Sequence, residues 1–104
     1  MDNELKIFWE KCGFETELYI FPDGSTDCDS VMWKAPDSSG WDIAPPELTL
    51  NNLFDYAVPL VDGLRIDGGV KNGYYVIVGI NGTVKTAKDK DLAIALYKAL
   101  KEVL

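Results

Sequence analysis

The chain has 104 residues, of which 47% are apolar, 26% charged and 12% aromatic, and these values are typical of one globular domain. Its net charge of −7 disfavours general nucleic-acid binding, since a phosphate backbone repels an acidic chain, and no apolar run is long enough to span a membrane. Histidine is absent, which removes the commonest general base, the commonest metal ligand and any Ser–His or Cys–His nucleophile within the chain.

The chain begins with a pattern typical of a helix followed by a β-hairpin. Apolar residues recur at helical spacing over residues 4–12, and Gly13 suits the left-handed position that ends a helix. The predicted buried stripe comprises Leu5, Phe8, Trp9 and Cys12. Residues 16–21 are β-branched and aromatic, which favours a strand, residues 22–24 predict a turn, and residues 30–34 predict the return strand.

A proline-rich segment and a second helix follow. Residues 35–47 contain three prolines and a glycine, so we expect an irregular connection, of a length that is often functional. Thr49 is a good N-cap residue, and Leu48 and Leu53 occupy the two positions of a hydrophobic staple. These signals predict a helix from Leu50 to Val61. Pro59 removes one backbone donor, so we expect a kink or an early end there.

Three strands are predicted next. Residues 64–67 alternate apolar and polar side chains, and the glycines at 68 and 69 suggest a bulge or a close approach of two backbones. Residues 74–80 carry no polar side chain on either face. The Asn-Gly pair at 81–82 is the strongest short signal for a β-hairpin, so residues 83–86 are predicted to return as an edge strand.

The last helix is predicted to begin with Asp89 as its N-cap, or slightly earlier. The strand at residues 74–80 determines whether helices cover one or both faces of the sheet, because a strand that is apolar on both faces must be covered on both faces. The sequence therefore predicts a single α+β domain over residues 1–104. It would contain a mainly antiparallel sheet of four to five strands with helices on both faces, an α/β/α sandwich with three helices.

A resemblance to a known family is spread over four segments: FWEKCGFE at 8–15, FPDG at 21–24, PPELTLNNLFDYAVP at 45–59 and DKDLAIALYKAL at 89–100. Together they resemble the small phage and prophage proteins grouped as the phage ABA sandwich domain. The segment at 45–59 is the most specific part. The resemblance implies helix–sheet–helix layers and a phage-related origin. It implies no activity, cofactor or catalytic residue.

The cysteines and the amino-terminal sequence bear on the compartment. Residues 1–13 are acidic before they are apolar, and they lack the cationic start and the cleavage site of a signal peptide. We therefore expect a cytoplasmic protein in which both thiols stay reduced. Cys12 lies on the apolar stripe of the first helix and is predicted to be buried, whereas Cys28 is predicted to be exposed and open to reaction.

The remaining patterns do not predict a metal, a cofactor or a catalytic centre. Asp23, Asp27 and Asp29 lack the glycine and glutamate spacing of a calcium loop, and two cysteines without histidine are too few for structural zinc. A carboxylate pair could still act as acid and base, but one carboxyl would need a desolvated pocket, and the sequence marks no such pair. We expect no enzyme, no cofactor and no metal site.

Two tryptophans near the proline-rich segment are the best functional candidates. Trp33 and Trp41 lie close to Asp37 and Asp42, and tryptophan is enriched at the centres of protein interfaces. These four residues form the predicted partner contact. The alternative is that both rings fold back over the core, since tryptophans are usually highly buried.

Three functions remain open from the sequence. The first is a non-enzymatic, phage-related accessory domain, a monomer or weak homodimer that binds a protein partner but no nucleic acid and no membrane. The second is an acidic decoy that imitates DNA, based on the charge of −10 over residues 1–62. The third is a small enzyme subunit that uses a carboxylate pair.

Overall fold

The computed structural model describes residues 3–24, 26–42 and 44–104, without the side chains of residues 19 and 26–30. Over these residues the chain is α+β, with three α-helices and five strands in two antiparallel sheets. It divides into two compact units, Met1–Pro46 and Glu47–Leu104. The predicted class, helix number and strand number are confirmed, whereas the prediction of one continuous sheet is wrong. The single-domain organisation stays a prediction.

The first unit contains helix α1 (Asn3–Lys11) and a hairpin of strands β1 (Glu15–Ile20) and β2 (Thr26–Lys34). Gly13 ends the helix with a φ of +103°, as predicted. The predicted turn is also present, because the Gly24 N–H donates to the Phe21 carbonyl at 2.8 Å. The strand β2 begins four residues earlier than the sequence predicts.

Aromatic rings form the core of the first unit. Phe8, Trp9, Phe14 and Trp33 are all buried, together with Cys12. Their rings meet edge to face, with centroids 5.1 Å apart for Phe8–Trp9, 5.4 Å for Trp9–Phe14 and 6.4 Å for Phe14–Trp33. Such contacts add about 0.5–1.5 kcal/mol per pair to the burial of the rings. The apolar stripe predicted for the first helix is therefore largely confirmed.

The outer edge of β2 is closed by the irregular segment that follows it. The Trp33 N–H donates to the Asp42 carbonyl, and the Asp42 N–H donates to the Trp33 carbonyl, each at 2.7 Å. Because these groups are already paired, no further strand can pair with β2 at this position. This local pairing gives a physical reason why β2 does not extend into a larger sheet.

The second unit opens with a helical segment of mixed geometry. Helix α2 (Leu50–Asn52) has the predicted N-cap, since the Thr49 hydroxyl accepts from the Asn52 N–H at 3.2 Å. The segment continues as a π-helical turn (Leu53–Ala57) and a 3₁₀ turn (Val58–Leu60). The disturbance expected at Pro59 is therefore a change of helix type. This change accommodates a residue that has no backbone N–H to donate.

The buried side of this helical segment differs from the predicted one. Leu53 and Ala57 are fully buried, but Leu50, Phe54 and Leu60 are exposed. Helical spacing over residues 50–61 predicts that all five lie on one apolar face. The π turn has more residues per turn than an α-helix, so a face drawn with 3.6 residues per turn no longer aligns these side chains.

The second sheet has the order β3 (Gly63–Gly69), β4 (Gly73–Ile80) and β5 (Thr83–Asp89). Its register is continuous, and β5 is the predicted edge strand. The close backbone approach suggested by the paired glycines occurs at Gly68, where a Cβ atom would collide with the Gly73 carbonyl. The Asn-Gly turn at 81–82 has φ angles of 51° and 83°, as a tight hairpin requires.

Helix α3 (Leu92–Val103) is capped by Asp91, whose carboxylate accepts from the backbone N–H groups of Ala93 and Ile94. The prediction of Asp89 as N-cap is wrong, because β5 runs through that residue and the helix begins only afterwards. Hydrogen bonds from the Asp91 backbone N–H and from the Lys98 ammonium lower the pKa of the Asp89 carboxyl.

The core of the second unit lies where α3 packs against β4 and β5. Its fully buried side chains are Leu53, Ala57, Val76, Val78, Ala95, Leu96, Ala99 and Leu100. On the opposite face of β4, Ile77 is half-buried and Tyr75 is 40% exposed. The apolar strand is therefore confirmed as a strand, and one of its faces is covered by a helix.

Candidate functional site

The predicted partner contact is built on the first unit, where the irregular segment folds back onto β2. The two hydrogen bonds between Trp33 and Asp42 fix the backbone of this segment at the strand. The Asp42 carboxylate also accepts a hydrogen bond from the Ala44 N–H at 3.2 Å. Trp41 therefore projects from a backbone that is held at its next residue.

The two tryptophans differ in their burial. Trp33 is only 4% exposed and packs against Phe14, so it belongs to the core. Trp41 is 41% exposed. The sequence left open whether the two rings lie in the core or at the surface. In the structure, Trp33 lies in the core and Trp41 lies at the surface. Of these two rings, only Trp41 presents a large part of its area to the surface.

A cavity of about 340 Å³ lies beside the Trp41 ring. We call it the Trp41 cavity, and its lining comprises Phe14, Trp33, Ala35, Ser38, Gly40, Trp41, Asp42, Ala44, Pro45 and Pro46. Its size falls within the range of about 300–1,000 Å³ found for ligand pockets. Three aromatic residues and two prolines make up half of these ten lining residues, and Ser38 and Asp42 add a hydroxyl and a carboxylate. This composition suits an apolar side chain with a polar neighbour.

The structure brings together three of the four predicted contact residues. Trp33, Trp41 and Asp42 line the Trp41 cavity, whereas Asp37 is exposed and is not part of its lining. Pro45 and Pro46 also line the cavity, although the sequence marked them only as part of the irregular segment. Their contribution depends on how that segment folds, which residue spacing does not show.

A second groove adjoins the cavity, since both have Trp41 in their lining. We call it the acidic groove. Its volume is about 470 Å³, and Glu10, Phe14, Glu15, Thr16, Glu17 and Trp41 line it. Glu15 and Glu17 are two positions apart on β1, and such residues lie on one face of a strand. That spacing is the signal in the sequence that could have pointed to this groove.

A lysine of the chain already lies close to the acidic groove. The Lys34 ammonium is 3.0 Å from a Glu15 carboxylate oxygen and 5.8 Å from the centroid of the Trp41 ring. A cation over an indole face gains about 0.5–1 kcal/mol at an exposed site, and an exposed ion pair gains a similar amount. The Glu15 carboxylate and the Trp41 ring thus hold a positive charge together.

The described residues offer little reactive chemistry around this site. Within them, no charged or polar side chain is buried, and no group of three or more His, Cys, Asp or Glu residues could hold a metal ion. Burial raises the pKa of the Cys12 thiol to about 12, so this predicted core cysteine is not a thiolate at neutral pH. The predicted reactivity of Cys28 concerns a side chain outside the described residues.

Comparison with known molecules adds no assignment. In the part of the chain that the structure describes, no helix is both long and apolar enough to cross a membrane. No protein-family model matches the chain, and neither a curated protein nor a solved structure matches it. The resemblance to the phage ABA sandwich domain therefore stays a prediction.

Proposed function

We propose that the chain is a non-enzymatic protein-interaction module whose partner contacts Trp41 and the Trp41 cavity. The observation that carries this proposal is the 41% exposure of the Trp41 ring beside an aromatic and proline-lined cavity. Tryptophan is enriched among hot-spot residues, whose truncation to alanine weakens binding by about 2 kcal/mol or more. An exposed indole at the mouth of a cavity is suited to this role.

The backbone hydrogen bonds next to Trp41 support a binding role. Two of them join Asp42 to Trp33, and the Asp42 carboxylate accepts a third from Ala44. A partner therefore need not supply the free energy for ordering Asp42, which is about 1–2 kcal/mol for the backbone of one residue. Preorganisation of this kind raises affinity without additional contacts.

The non-enzymatic character is supported by the nature of the described side chains. The site has carboxylates, but none of the described ones is buried, and acid–base catalysis by a carboxylate pair needs one desolvated member. A small enzyme subunit is the weaker proposal on this ground. Demonstrating an activity that Trp41→Ala leaves intact would favour the enzyme subunit over the interaction module.

We further propose that the chain is phage-related, cytoplasmic and built as an α/β/α sandwich. The four family-like segments support the origin and the layers, and a free thiol at Cys12 agrees with a reducing compartment. We propose a monomer or weak homodimer, to be tested by sedimentation over a range of concentrations.

Photo-crosslinking tests the interaction module directly. Ala44 lines the Trp41 cavity and is exposed, so the photoreactive residue p-benzoylphenylalanine can replace it without removing a side-chain hydrogen bond. We expect this probe to capture a protein in a host lysate, and we expect Trp41→Ala in the same chain to abolish the product. A probe at Val70, which is 87% exposed in the second unit, is the matched control.

Two results of this experiment would contradict the proposal. One is a crosslinked product that persists with Trp41→Ala, because the ring would then not contribute to binding. The other is the same set of products from the Val70 probe, because the capture would then be unspecific. Excess unlabelled wild-type protein should compete with the Ala44 product, and excess Trp41→Ala should not.

The DNA-mimicking decoy remains a second candidate because of where the charge lies. The first unit contains ten acidic and three basic residues, so it carries the whole net charge of −7. A decoy needs carboxylates arranged on one surface like phosphates. It would be favoured if the Ala44 probe captured a DNA-binding protein and duplex DNA displaced it.

A further inference from the structure

We infer that the partner segment is an extended basic peptide, with an apolar side chain in the Trp41 cavity and an arginine or lysine in the acidic groove. The inference rests on the proposed function and specifies the chemistry of the partner. It starts from a cavity lined by aromatic rings and prolines and an acidic groove, both of which include the exposed Trp41 in their lining.

Charge complementarity selects a basic partner. The first unit has a net charge of −7, whereas the second unit contains seven acidic and seven basic residues and is neutral. Around Trp41 the groove lining adds Glu10, Glu15 and Glu17, and the cavity lining adds Asp42. An acidic segment would meet repulsion at this surface, and a basic one would be steered towards it.

The lysine next to Trp41 shows that this surface holds a cation. Lys34 places its ammonium 3.0 Å from Glu15 and 5.8 Å from the Trp41 centroid. The pair compensates one of the groove carboxylates, and Lys6 lies 3.5 Å from Glu10. Among the described residues, Glu17 makes no ion pair. A partner cation therefore has the Glu17 carboxylate available in the groove that Trp41 also lines, and it must displace Lys34 to reach the face of the ring.

The shared ring favours an extended backbone in the partner. Trp41 lines both depressions, so the two binding positions are adjacent. In an extended peptide, successive side chains point to opposite sides, so neighbouring residues can enter two adjacent depressions, one the cavity and one the groove. Arginine is favoured over lysine, because its planar guanidinium can stack on the indole and donate two hydrogen bonds to a carboxylate.

Selection from a random heptapeptide library displayed on yeast tests both the site and the partner chemistry. The bait is the full chain, and Trp41→Ala serves as the counter-bait. We expect the wild-type chain to enrich peptides with an arginine or lysine next to an apolar residue, and we expect Trp41→Ala not to retain them. Circular dichroism shows whether the variant keeps its fold.

The possible results separate the two proposals. Peptides that depend on Trp41 but lack basic residues would overturn the basic-peptide inference and leave the interaction module in place. If no peptide is retained more strongly by the wild-type chain than by Trp41→Ala, both the inference and a peptide-binding role for Trp41 are wrong. Should Trp41→Ala unfold, Trp41→Phe replaces it, and a smaller loss of binding is expected.

A matched pair of charge variants tests the groove itself. Glu17→Gln and Glu102→Gln each remove one negative charge from an exposed glutamate, but Glu17 lines the acidic groove and Glu102 lies in the second unit. With a synthetic peptide from the selection, we expect Glu17→Gln to weaken binding about two- to fivefold, as loss of an exposed ion pair would. Glu102→Gln should leave the dissociation constant unchanged. Equal effects of the two variants would overturn the groove assignment, because only net charge would then matter.

Discussion

Gly68 is the residue at which the backbone leaves no room for a side chain. Its φ is +96°, and a Cβ atom would overlap the Gly73 carbonyl of the neighbouring strand. Because the obstacle is backbone rather than a flexible side chain, Gly68→Ala should lower the free energy of unfolding by about 2 kcal/mol or more. Urea unfolding followed by circular dichroism measures the loss.

The control for this prediction is Gly82→Ala in the same unit. Gly82 also has a positive φ, +83°, but no atom lies within 4 Å of the position that a Cβ would take there. Only the conformational strain of about 1 kcal/mol should therefore appear. Similar losses for the two variants would mean that the backbones of β3 and β4 are farther apart at Gly68 than they are in this structure.

Because the Cys12 thiol is buried, the folded protein should lose stability in alkaline solution. Burial raises its pKa from 9.0 to about 12, so between these values the unfolded chain releases the proton and the folded chain keeps it. The stabilising effect of the neutral thiol is complete below pH 9 and is lost as the pH rises towards 12. Between pH 8 and pH 10 the free energy of unfolding should fall by about 1.4 kcal/mol from this group.

The variant Cys12→Ala isolates this contribution from other groups that titrate in the same range. We expect the wild type to lose about 1.4 kcal/mol more than Cys12→Ala between pH 8 and pH 10, measured by urea unfolding at each pH. Parallel pH profiles for the two proteins would show that the thiol is not buried in the folded chain.

Cys12 and Trp41 show which properties of single residues can be predicted from the sequence. The burial of Cys12 follows from its position on a helical stripe, because helical periodicity places it beside Phe8 and Trp9. No such periodicity governs Trp41, whose exposure depends on two backbone hydrogen bonds made by its neighbour. Backbone groups are the same in every residue, so the sequence did not reveal which of the two tryptophan rings would face outward.

At the scale of elements, the cap of α3 gives a testable assignment. The Asp91 carboxylate accepts from two backbone N–H groups in the first turn, at 2.9 Å to Ala93 and 3.4 Å to Ile94. Asp91→Ala should lower the free energy of unfolding by about 1 kcal/mol, because those donors lose their partner. Asp91→Asn keeps an acceptor oxygen and should lose only a fraction of that, as thermal unfolding can show. If both variants lose the same amount, the cap is not formed by this side chain.

Element boundaries were predicted well where a local rule decides them and poorly where tertiary pairing does. Gly13, Thr49 and the Asn-Gly turn act through their own backbone or side chain, and each has its predicted role. The strand β5 instead continues to Asp89 by pairing with Tyr74. This pairing moves the start of α3 beyond the residue that the sequence favoured as N-cap.

At the scale of the whole molecule, the strand number was predictable but the number of sheets was not. Hydrophobic patterns locate strands, since each pattern is local. Which strands share a sheet depends on which edges are already paired, and the edge of β2 is paired by Asp42, a residue in an irregular segment. The same backbone pairing that interrupts the sheet also fixes the segment that carries the candidate site.

The division into two units predicts unequal stability of the two halves when they are separated after Pro46. The second unit has 58 residues, a three-stranded sheet packed on α3 and eight fully buried side chains, whereas the first has 46 residues and a two-stranded sheet. Independent stability needs three strands with an apolar face or a sheet packed on a helix, and the second unit has both. A smaller unit with a single hairpin is marginal, and a net charge of −7 adds self-repulsion to the first unit. Residues 47–104 should therefore fold alone, with dispersed amide NMR signals, and unfold at a higher temperature than residues 1–46. If the fragment 47–104 is unfolded while the intact chain is folded, the core around Leu53 and Leu96 does not stabilise the second unit by itself.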